Sequence, residues 1–234
     1  MMKKNKKVKI IDLGQMSYSE SLKIQEGYFN AIIELKRSNR KKETSIPTDN
    51  YLLWVEHPPV FTLGKSGKME HLLLNRQTLV NKGIEFYKTN RGGDITFHGP
   101  GQLVVYPIFD LDNFFTDIHK YLRFLEEAVI STLKEYGLKT KRSPGETGVW
   151  LDVGTPFARK ICAMGVRASR WVTMHGLALN LNIDLGYFDH IVPCGIKGKG
   201  VTSLAKELGK EIDVELVKKK LKIHLGNLFD AQLD

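Results

Sequence analysis

The stretch RGGDITFHGPGQ, residues 91–102, runs directly into the apolar segment LVVYPIFD, residues 103–110. It contains four glycines and a proline, so its backbone can approach another group closely. Gly92 and Gly93 tolerate positive φ, and Pro100 restricts the turn before the apolar segment. A solvated hairpin loop and a loop around a ligand both fit this pattern, but the density of glycines and hydrogen-bonding side chains favours the ligand loop. These polar side chains are Arg91, Asp94, Thr96, His98 and Gln102.

The composition indicates a folded protein with a basic surface. The 234 residues suffice for one large domain or two small ones. With 42% apolar and 26% charged residues, the chain is typical of globular rather than disordered proteins. Its net charge of +9 favours acidic partners, namely nucleic acid, an anionic membrane or an acidic protein. Charge runs are more often solvated faces than binding sites, so this signal alone does not choose among them.

Several classes of protein are not expected from the sequence. No segment approaches the roughly 18 apolar residues of a membrane-spanning helix, and the basic N-terminus lacks the apolar core of a secretory signal. We therefore expect a cytoplasmic location, no membrane partner, and free thiols at Cys162 and Cys194. No CxxC, HExxH or Cys/His cluster suggests a metal site. Gly64-Lys65-Ser66 resembles the end of a phosphate-binding loop, but Pro59 stands where that motif requires glycine.

Apolar periodicity predicts the secondary structure. We expect strands over residues 8–13, 51–56, 60–63, 84–87, 103–110, 138–141, 148–152, 160–166 and 171–182. We expect helices over residues 17–36, 69–81, 117–136, 202–208 and 213–228, with an exposed loop over 37–50 and a loop over 183–200. These elements interleave without strict βαβ alternation, which predicts an α/β (α+β) fold with a mixed, mostly antiparallel sheet packed with helices. We assign residues 1–234 to one domain, and the helix after Gly209 is the best candidate for an appended subdomain.

Two cysteines and a lysine are the candidates for chemistry. Cys194 lies between Pro193 and Gly195, where a rigid turn and nearby amides suit a nucleophile, although a structural turn residue fits as well. Cys162 lies in an apolar strand pattern, which is typical of a small buried hydrophobe. A catalytic thiol needs a histidine base or a nearby cation. His98, His175 and Lys160 could supply one, while hydrogen-bonded structural histidines and a lysine that extends to solvent are the alternatives.

Three segments together resemble one family. RGGDITFHGPGQ (91–102), ARKICAMGVR (158–167) and VTMHGLALNLNIDLGYFDHIVPCGIKGKGVTSL (172–204) are similar, in residues and in order, to the octanoyl-acyl-carrier-protein:protein octanoyltransferases of lipoate biosynthesis. EHPPVFTLGKSG (56–67) and GVWLD (148–152) fit the same family. The resemblance covers about residues 51–204, and the segments outside it carry little family signal.

This resemblance implies a fold, an activity and a set of site residues. The fold would resemble the catalytic domains of biotin- and lipoate-protein ligases. The activity would be transfer of an octanoyl group from the phosphopantetheine thioester of acyl carrier protein to a lysine of lipoyl domains, in 2-oxoacid dehydrogenase E2 subunits and glycine cleavage H protein. Cys194 would be the nucleophile that carries the octanoyl thioester, and Lys160 would lower its pKa and transfer protons. The acyl-binding residues would be Arg91, Gly92, Gly93, Asp94, Ile95, Thr96, Phe97, His98, Ala163, Met164, Gly165, Gly176, Leu177 and Ala178.

The same resemblance implies that no ATP, metal or other cofactor takes part, because a thioester already has the energy to form an amide. Acyl carrier protein and lipoyl domains are typically acidic, so the positive charge would attract both of them, and nucleic acid is not an expected partner. Two other hypotheses remain open at this point. One is an ATP-dependent lipoate- or biotin-protein ligase on the same fold, which would not need Cys194. The other is a basic binding module in which Cys194 is structural.

Overall fold

The computed structural model describes residues 4–192 and 200–234. Within these ranges the chain forms eleven strands and five α-helices, together with short 3-10 turns. The strands are β1 Lys7–Gln15, β2 Tyr51–Glu56, β3 Val60–Leu63, β4 Glu85–Lys88, β5 Ile95–His98, β6 Gln102–Ile108, β7 Val149–Leu151, β8 Arg159–Ser169, β9 Val172–Asn180, β10 Gly200–Val201 and β11 Gln232–Leu233. The helices are α1 Tyr18–Lys42, α2 Arg76–Asn81, α3 Ile118–Lys134, α4 Leu204–Leu208 and α5 Val214–Phe229.

Eight of the described strands form one mixed sheet, in the order β10-β8-β9-β6-β2-β1-β11, with β7 as a further neighbour of β8. Its central strands β2, β6, β9 and β8 pair antiparallel, whereas β1, β10 and β11 pair parallel with their neighbours. A second sheet has the order β4-β3-β5. The predicted fold class, with mixed sheets and packed helices, is therefore confirmed.

The central strands are apolar on both faces because helices cover both faces of the large sheet. In β2, Leu52 and Trp54 point into the larger core, while Leu53 and Val55 point into a second core on the opposite face. Helices α3 and α5 fill the larger core, and α1 covers the opposite face through Phe29, Ile32 and Ile33. Alternating side chains of one strand thus enter two separate cores, which explains the near-continuous apolar run.

The small sheet has a core of its own. Phe61 of β3 and Phe97 of β5 are fully buried with ring centroids 5.1 Å apart. Tyr187, from the 3-10 turn Leu185–His190, stacks on Phe97 at 4.4 Å. This turn lies inside the stretch for which the sequence predicts a loop, and it joins the small sheet to the end of β9. The two sheets therefore form one body with a space between them.

The predicted end of the first helix is wrong. Helix α1 continues to Lys42, beyond the predicted end at residue 36. Asn39 stabilises this extension, because its side chain donates to the Ile46 carbonyl oxygen (2.8 Å) and accepts from the Ile46 N–H (3.2 Å). Basic residues in the last turn also favour a helix C-terminus.

The predicted helix over residues 69–81 is divided. Its first part is a 3-10 turn, Met69–His71, after which Leu72 forms a β-bridge with Ile191. Helix α2 then starts anew because the Asn75 side chain caps it by accepting from the Thr78 N–H at 2.9 Å. Residues 138–141 are not a strand either, since only Lys141 forms a bridge, with Trp150.

The C-terminal helix α5 belongs to the main core rather than to an appended subdomain. Val217, Leu221, Leu225 and Phe229 are buried on it and pack with α3 and the large sheet. None of the helices in the described ranges combines the length and apolarity required to cross a bilayer.

Candidate active site

A cavity of about 500 Å³ lies where β5 and the residues before it face β8, β9 and β6. Thirteen of the fourteen residues predicted to bind the acyl group line it. The exception is Phe97, whose fully buried ring packs against Phe61, Tyr187 and Phe188 in the small-sheet core. The residues brought together are Arg91, Gly92, Gly93, Asp94, Ile95, Thr96, His98, Ala163, Met164, Gly165, Gly176, Leu177 and Ala178.

One wall of the cavity consists of small residues in register. Ala163 pairs with Ala178, and Gly165 pairs with Gly176, across β8 and β9. On its other side, Ala178 pairs with Val104 of β6. A Cβ atom added to Gly176 would lie 2.1 Å from the Val105 carbonyl oxygen, so only glycine fits there. Small side chains at these positions leave the space that an apolar chain needs.

The ladder between β6 and β9 is interrupted next to this wall. Every second residue of β6 directs its N–H and C=O groups toward β9. Pro107 is one of these residues, but proline has no N–H to donate. In a regular ladder the His175 N–H would donate to the Pro107 carbonyl, but it donates instead to Oε1 of Gln25 at 3.0 Å. His175 adopts φ 56°, and its Nε2 lies 3.0 Å from Oδ1 of Asn90. The backbone of β9 is therefore irregular at His175, where the side chains of Gln25 and Asn90 provide its hydrogen-bond partners.

The Arg91 side chain holds the glycine-rich segment in place. Its guanidinium donates to the carbonyl oxygen (2.7 Å) and Oγ1 (2.9 Å) of Thr62 and to the Gly92 carbonyl oxygen (3.0 Å). The Gly92 N–H in turn donates to the Val166 carbonyl oxygen at 2.9 Å. A Cβ atom on Gly165 would lie 2.6 Å from the Gly92 carbonyl oxygen, so this close approach requires a glycine in β8. Arg91, only 8% exposed, thus orders the loop.

Asp94 also makes internal contacts. Its Oδ1 accepts from the Ile95 N–H at 2.6 Å, and its Oδ2 lies 2.6 Å from Nδ1 of His71. His71 accepts a hydrogen bond from the Val192 N–H at 2.8 Å through its carbonyl oxygen. The Asp94 carboxylate therefore connects the glycine-rich segment to residues 71 and 192.

A chain of hydrogen bonds crosses the cavity floor. Gln102 donates through Nε2 to Oδ1 of Asn180 at 2.9 Å, so its Oε1 accepts from Nδ1 of His98 at 2.8 Å. Asn180 donates to the Thr202 carbonyl oxygen at 2.9 Å. Thr62 accepts from Arg91 through Oγ1, which leaves its hydroxyl hydrogen for Nε2 of His98 at 3.3 Å. This arrangement fixes His98 as the neutral Nδ1–H tautomer.

Burial favours the neutral forms of the histidines near the cavity. It lowers the pKa of His98 to about 3, with a further contribution from nearby His57, and it lowers the pKa of His175 to about 3. The pKa of His57 falls to about 4 for the same reason. His98 and His175 therefore resemble hydrogen-bonded structural histidines, one of the alternatives left open by the sequence.

Lys160 lies on the cavity wall near the start of β8. Its Nζ stands 4.6 Å from the centroid of the Trp150 ring, a cation–π contact. Its backbone pairs with Val201 of β10, and its carbonyl oxygen accepts from the Thr202 N–H at 2.9 Å. The backbone of Lys160 is thereby held next to β10, the first described element after residues 193–199.

The structure describes only one of the two cysteines, Cys162. Cys194, the predicted nucleophile, lies outside the described residues, and the nearest cavity-lining residues in the sequence are Ile191 and Val201. Cys162 is fully buried in the larger core, and burial raises the pKa of its thiol. This environment agrees with the expectation that Cys162 is a small buried hydrophobe.

Sequence reasoning missed five polar residues of the cavity: Tyr18, Tyr106, Glu146, Thr147 and Asn180. Tyr106 and Asn180 stand in otherwise apolar strands, and that contrast is the signal that could have identified them. The Tyr106 hydroxyl lies 2.8 Å from Nε2 of His57, whose Nδ1 donates to the Met16 carbonyl oxygen at 2.8 Å. Tyr18 had no such signal, since it falls on the apolar stripe of α1.

Solved structures with the same fold are lipoate protein ligases. The chain superposes on a bipartite lipoate protein ligase from Thermoplasma acidophilum with a TM-score of 0.69 and 15% identity, covering 98% of this chain and 86% of that one. It superposes on a lipoate-protein ligase A bound with ATP with a TM-score of 0.69 and 13% identity, covering 98% and 87%. At these identities the likeness concerns the fold alone.

Sequence comparison identifies much nearer relatives. The chain is 66% identical over 230 residues to an octanoyltransferase of Flavobacterium johnsoniae, covering 98% of this chain and 99% of that protein. It is 67% identical over 230 residues to an octanoyltransferase of Christiangramia forsetii, covering 98% of each. The lipoyl protein ligase A/B catalytic domain family matches residues 17–226. The chain therefore belongs to the lipoyl protein ligase A/B catalytic domain family and, within it, to the octanoyltransferases.

Proposed function

We propose that this protein transfers an octanoyl group from the phosphopantetheine thioester of acyl carrier protein to a specific lysine of a lipoyl domain. The acceptors would be the lipoyl domains of 2-oxoacid dehydrogenase E2 subunits and the glycine cleavage H protein. Membership of the octanoyltransferases supports the acyl group and the reaction type. The donor, the acceptors and the catalytic residues are those that the resemblance of the sequence motifs to this family implies.

The observation that carries the proposal is the position of Lys160 on a cavity with a wall of small residues. Ala163, Gly165, Gly176 and Ala178 leave room for an aliphatic chain, and the volume of about 500 Å³ lies in the range of small-molecule sites. Lys160 places an amine on the same cavity. An apolar chain next to a fixed amine is the arrangement that acyl transfer needs.

In the first step the Cys194 thiolate attacks the carbonyl carbon of the octanoyl thioester. A carbon–sulfur bond to Cys194 forms as the bond to the carrier sulfur breaks, and the carrier thiolate leaves with the electron pair. The ammonium form of Lys160 favours the thiolate of Cys194 over its thiol. It can then give its proton to the departing carrier sulfur.

In the second step the acceptor lysine amine attacks the octanoyl-Cys194 thioester. An amide bond forms, the carbon–sulfur bond breaks, and Cys194 recovers its thiolate. The neutral amine of Lys160, which lost its proton in the first step, accepts the proton of the attacking amine. Because a thioester is converted into an amide, the proposed reaction uses no ATP, metal or other cofactor. The cytoplasmic location expected from the sequence stays a prediction.

The test is intact mass spectrometry after mixing the protein with octanoyl-acyl carrier protein in the absence of ATP. We expect a gain of one octanoyl group that hydroxylamine removes and that an added lipoyl domain discharges. Cys162→Ser should acquire the same adduct, since Cys162 is buried in the core. Cys194→Ser should lose the hydroxylamine-sensitive adduct, and any slow ester on the serine would differ in rate and in hydroxylamine sensitivity.

Two results would refute the proposal. If no adduct forms but octanoate with ATP supports transfer to the lipoyl domain, the chain is a ligase and Cys194 is not the nucleophile. If neither donor supports transfer to a competent acceptor, the protein does not catalyse octanoyl transfer to lipoyl domains.

A further inference from the structure

Trp150 of β7 covers the side chain of Lys160. The two residues are paired across β7 and β8, and Nζ of Lys160 stands 4.6 Å from the centroid of the Trp150 ring. Val149 and Leu151, the neighbours of Trp150, belong to the larger core, so alternation along β7 directs the ring to the opposite face, where Lys160 lies. Trp150 is only 4% exposed. A buried indole ring thus lies over the amine to which the proposed function assigns proton transfer.

The backbone of β7 holds this ring in a fixed position. Trp150 exchanges two hydrogen bonds of 2.9 Å with Lys141, and the Gly148 N–H donates to Oε1 of Glu126 at 2.9 Å. The Glu126 side chain is fully buried in α3. A Cβ atom on Gly148 would lie 3.6 Å from Cε of Lys160, so the lysine stem runs along the same backbone. The amine and the ring are therefore held by the same strand.

The contact between the ring and the amine distinguishes the two protonation states of Lys160. The face of an indole ring carries partial negative charge, which attracts an ammonium group but not a neutral amine. The ring also excludes water on that side, so its charge replaces part of the solvation that the ammonium would otherwise receive. Trp150 therefore favours the charged form of Lys160, which is the form that the first step of the proposed reaction uses.

We propose that Trp150 is a positioning residue of the transfer reaction: through its cation–π contact it holds the Lys160 amine in place and keeps it in the ammonium form until the carrier sulfur leaves. This proposal rests on the proposed function and deepens the role of Lys160 in it. It differs from a packing role because it depends on the charge distribution of the ring as well as on its shape.

Several other charged or titratable groups surround Lys160, and they stay the same when only the Trp150 ring is altered. A difference between ring variants therefore reports the ring. The elements around Lys160 carry Glu126 on α3, Glu146 before β7, Asp152 after β7, Arg91, Asp94 and His98 at or before β5, His175 on β9, Arg159 and Cys162 on β8, and Glu207 on α4.

The test is the pH dependence of the single-turnover rate at which octanoyl-acyl carrier protein acylates Cys194. This rate requires the thiolate of Cys194 and the ammonium of Lys160, so we expect a bell-shaped profile whose basic limb reports loss of the ammonium. Trp150→Leu keeps an apolar side chain but removes the charged ring face. The ammonium then loses its proton more readily, and the basic limb should move to lower pH by about half a unit to one unit. Trp150→Phe retains a ring and should keep most of the wild-type profile.

The acidic limb separates this role from a merely structural one. The cation–π contact acts on the lysine alone, so its loss should leave the acidic limb, which reports formation of the thiolate, unchanged. If Trp150→Leu instead displaced Lys160 from Cys194, the thiolate would lose its cation, and the acidic limb would move to higher pH as the basic limb moved to lower pH. Similar movement of both limbs would overturn the proposal.

Fluorinated tryptophan tests the charge of the ring at nearly constant shape. Incorporation of monofluorinated or trifluorinated tryptophan weakens the negative charge of the ring face, so the basic limb should move to lower pH in step with the number of fluorine atoms. The label also enters at Trp54 and Trp171, so the same incorporation into Trp150→Phe is the matched control and should leave the limb where it is.

The outcomes distinguish this proposal from the proposed function. If the wild-type protein acquires no octanoyl adduct at any pH, the proposed function fails and the role of Trp150 fails with it. If the wild-type protein is acylated with a bell-shaped profile that fluorination does not move, the proposed function stands and only the role of Trp150 is overturned.

Discussion

Nδ1 of His71 lies 2.6 Å from Oδ2 of Asp94, and the main chain of His71 binds Val192, two residues before Cys194. The side chain of one residue therefore contacts the glycine-rich segment, while its backbone carbonyl accepts a hydrogen bond from the residues that lead to the proposed nucleophile. Leu72 and Ile191 extend this connection through a β-bridge. The pair links two motifs that lie almost 100 residues apart in the sequence.

We expect His71→Gln and Asp94→Asn each to slow the acylation of Cys194 about tenfold, because each removes the contact that orients residues 190–192. The measurement is the single-turnover rate of octanoyl adduct formation. His224→Gln is a matched control, since His224 lies 2.6 Å from Glu135 in a similar pair on the surface. The double variant should be no slower than either single variant, and an additive loss would contradict a shared function.

Lys160→Arg should separate the two proposed roles of this lysine. Arginine keeps the positive charge but cannot accept a proton at neutral pH, so octanoyl-Cys194 should still form. Transfer from the adduct to the lipoyl domain should fall about 10²-fold or more, since the general base is lost. Rapid-quench measurement of the two half-reactions tests this expectation. Equal losses in both steps would show that the charge alone does not explain acylation.

Gly165→Ala should destabilise the protein by about 1–3 kcal/mol and lower its activity, because the new Cβ would meet the Gly92 carbonyl oxygen at 2.6 Å. The glycine-rich segment would then have to move away from β8. Gly27→Ala is the control: Gly27 lies in α1, and a Cβ atom added there would have nothing within 4 Å, so alanine should stabilise the helix by about 1 kcal/mol. Chemical denaturation gives both values, and a neutral Gly165→Ala would show that the loop yields easily.

Stability should fall as the pH decreases from about 6.5 toward 4. The folded-state pKa values of His57, His98 and His175 are depressed to about 4, 3 and 3, so between those values and the unfolded pKa of about 6.5 the unfolded chain binds more protons. Each histidine then contributes a slope of up to about 1.4 kcal/mol per pH unit.

Urea denaturation at pH 7.5, 6.0 and 5.0 measures this slope. His98→Asn should reduce it by roughly one histidine's share, whatever the effect of the substitution on stability at pH 7.5. An identical slope in His98→Asn would mean that His98 is already protonated in the folded protein.

The sequence predicts best the strands and helices whose bounds are set by residues inside them or next to them in the sequence. The run Tyr51–Glu56 has the bounds of β2, since a strand buried on both faces needs apolar residues throughout. Asp117 is the predicted start of a helix, and it caps α3 by accepting from the Lys120 N–H at 2.9 Å. The predicted end of α1 is wrong because Asn39 finds its partners only in the folded loop.

The sequence predicts the site as a set of positions but not as a set of roles. Arg91 and Asp94 line the cavity as expected, yet the contacts described above join them to Thr62, Gly92, Ile95 and His71 of the protein itself. Such partners lie far apart in sequence, so composition and spacing cannot reveal them. Phe97 lies between two cavity residues in the sequence, but the alternation of β5 directs its ring to the opposite side.

Pro107 has a consequence for how this protein can be engineered. A residue with an N–H at position 107 would present a donor toward β9, as a regular ladder requires. To use that donor, the His175 peptide would have to leave its positive φ of 56° and its hydrogen bond to Gln25. Programmes that raise thermal stability by idealising strands would therefore select against the proline and change the backbone beside Gly176 and Leu177, two residues that line the acyl pocket.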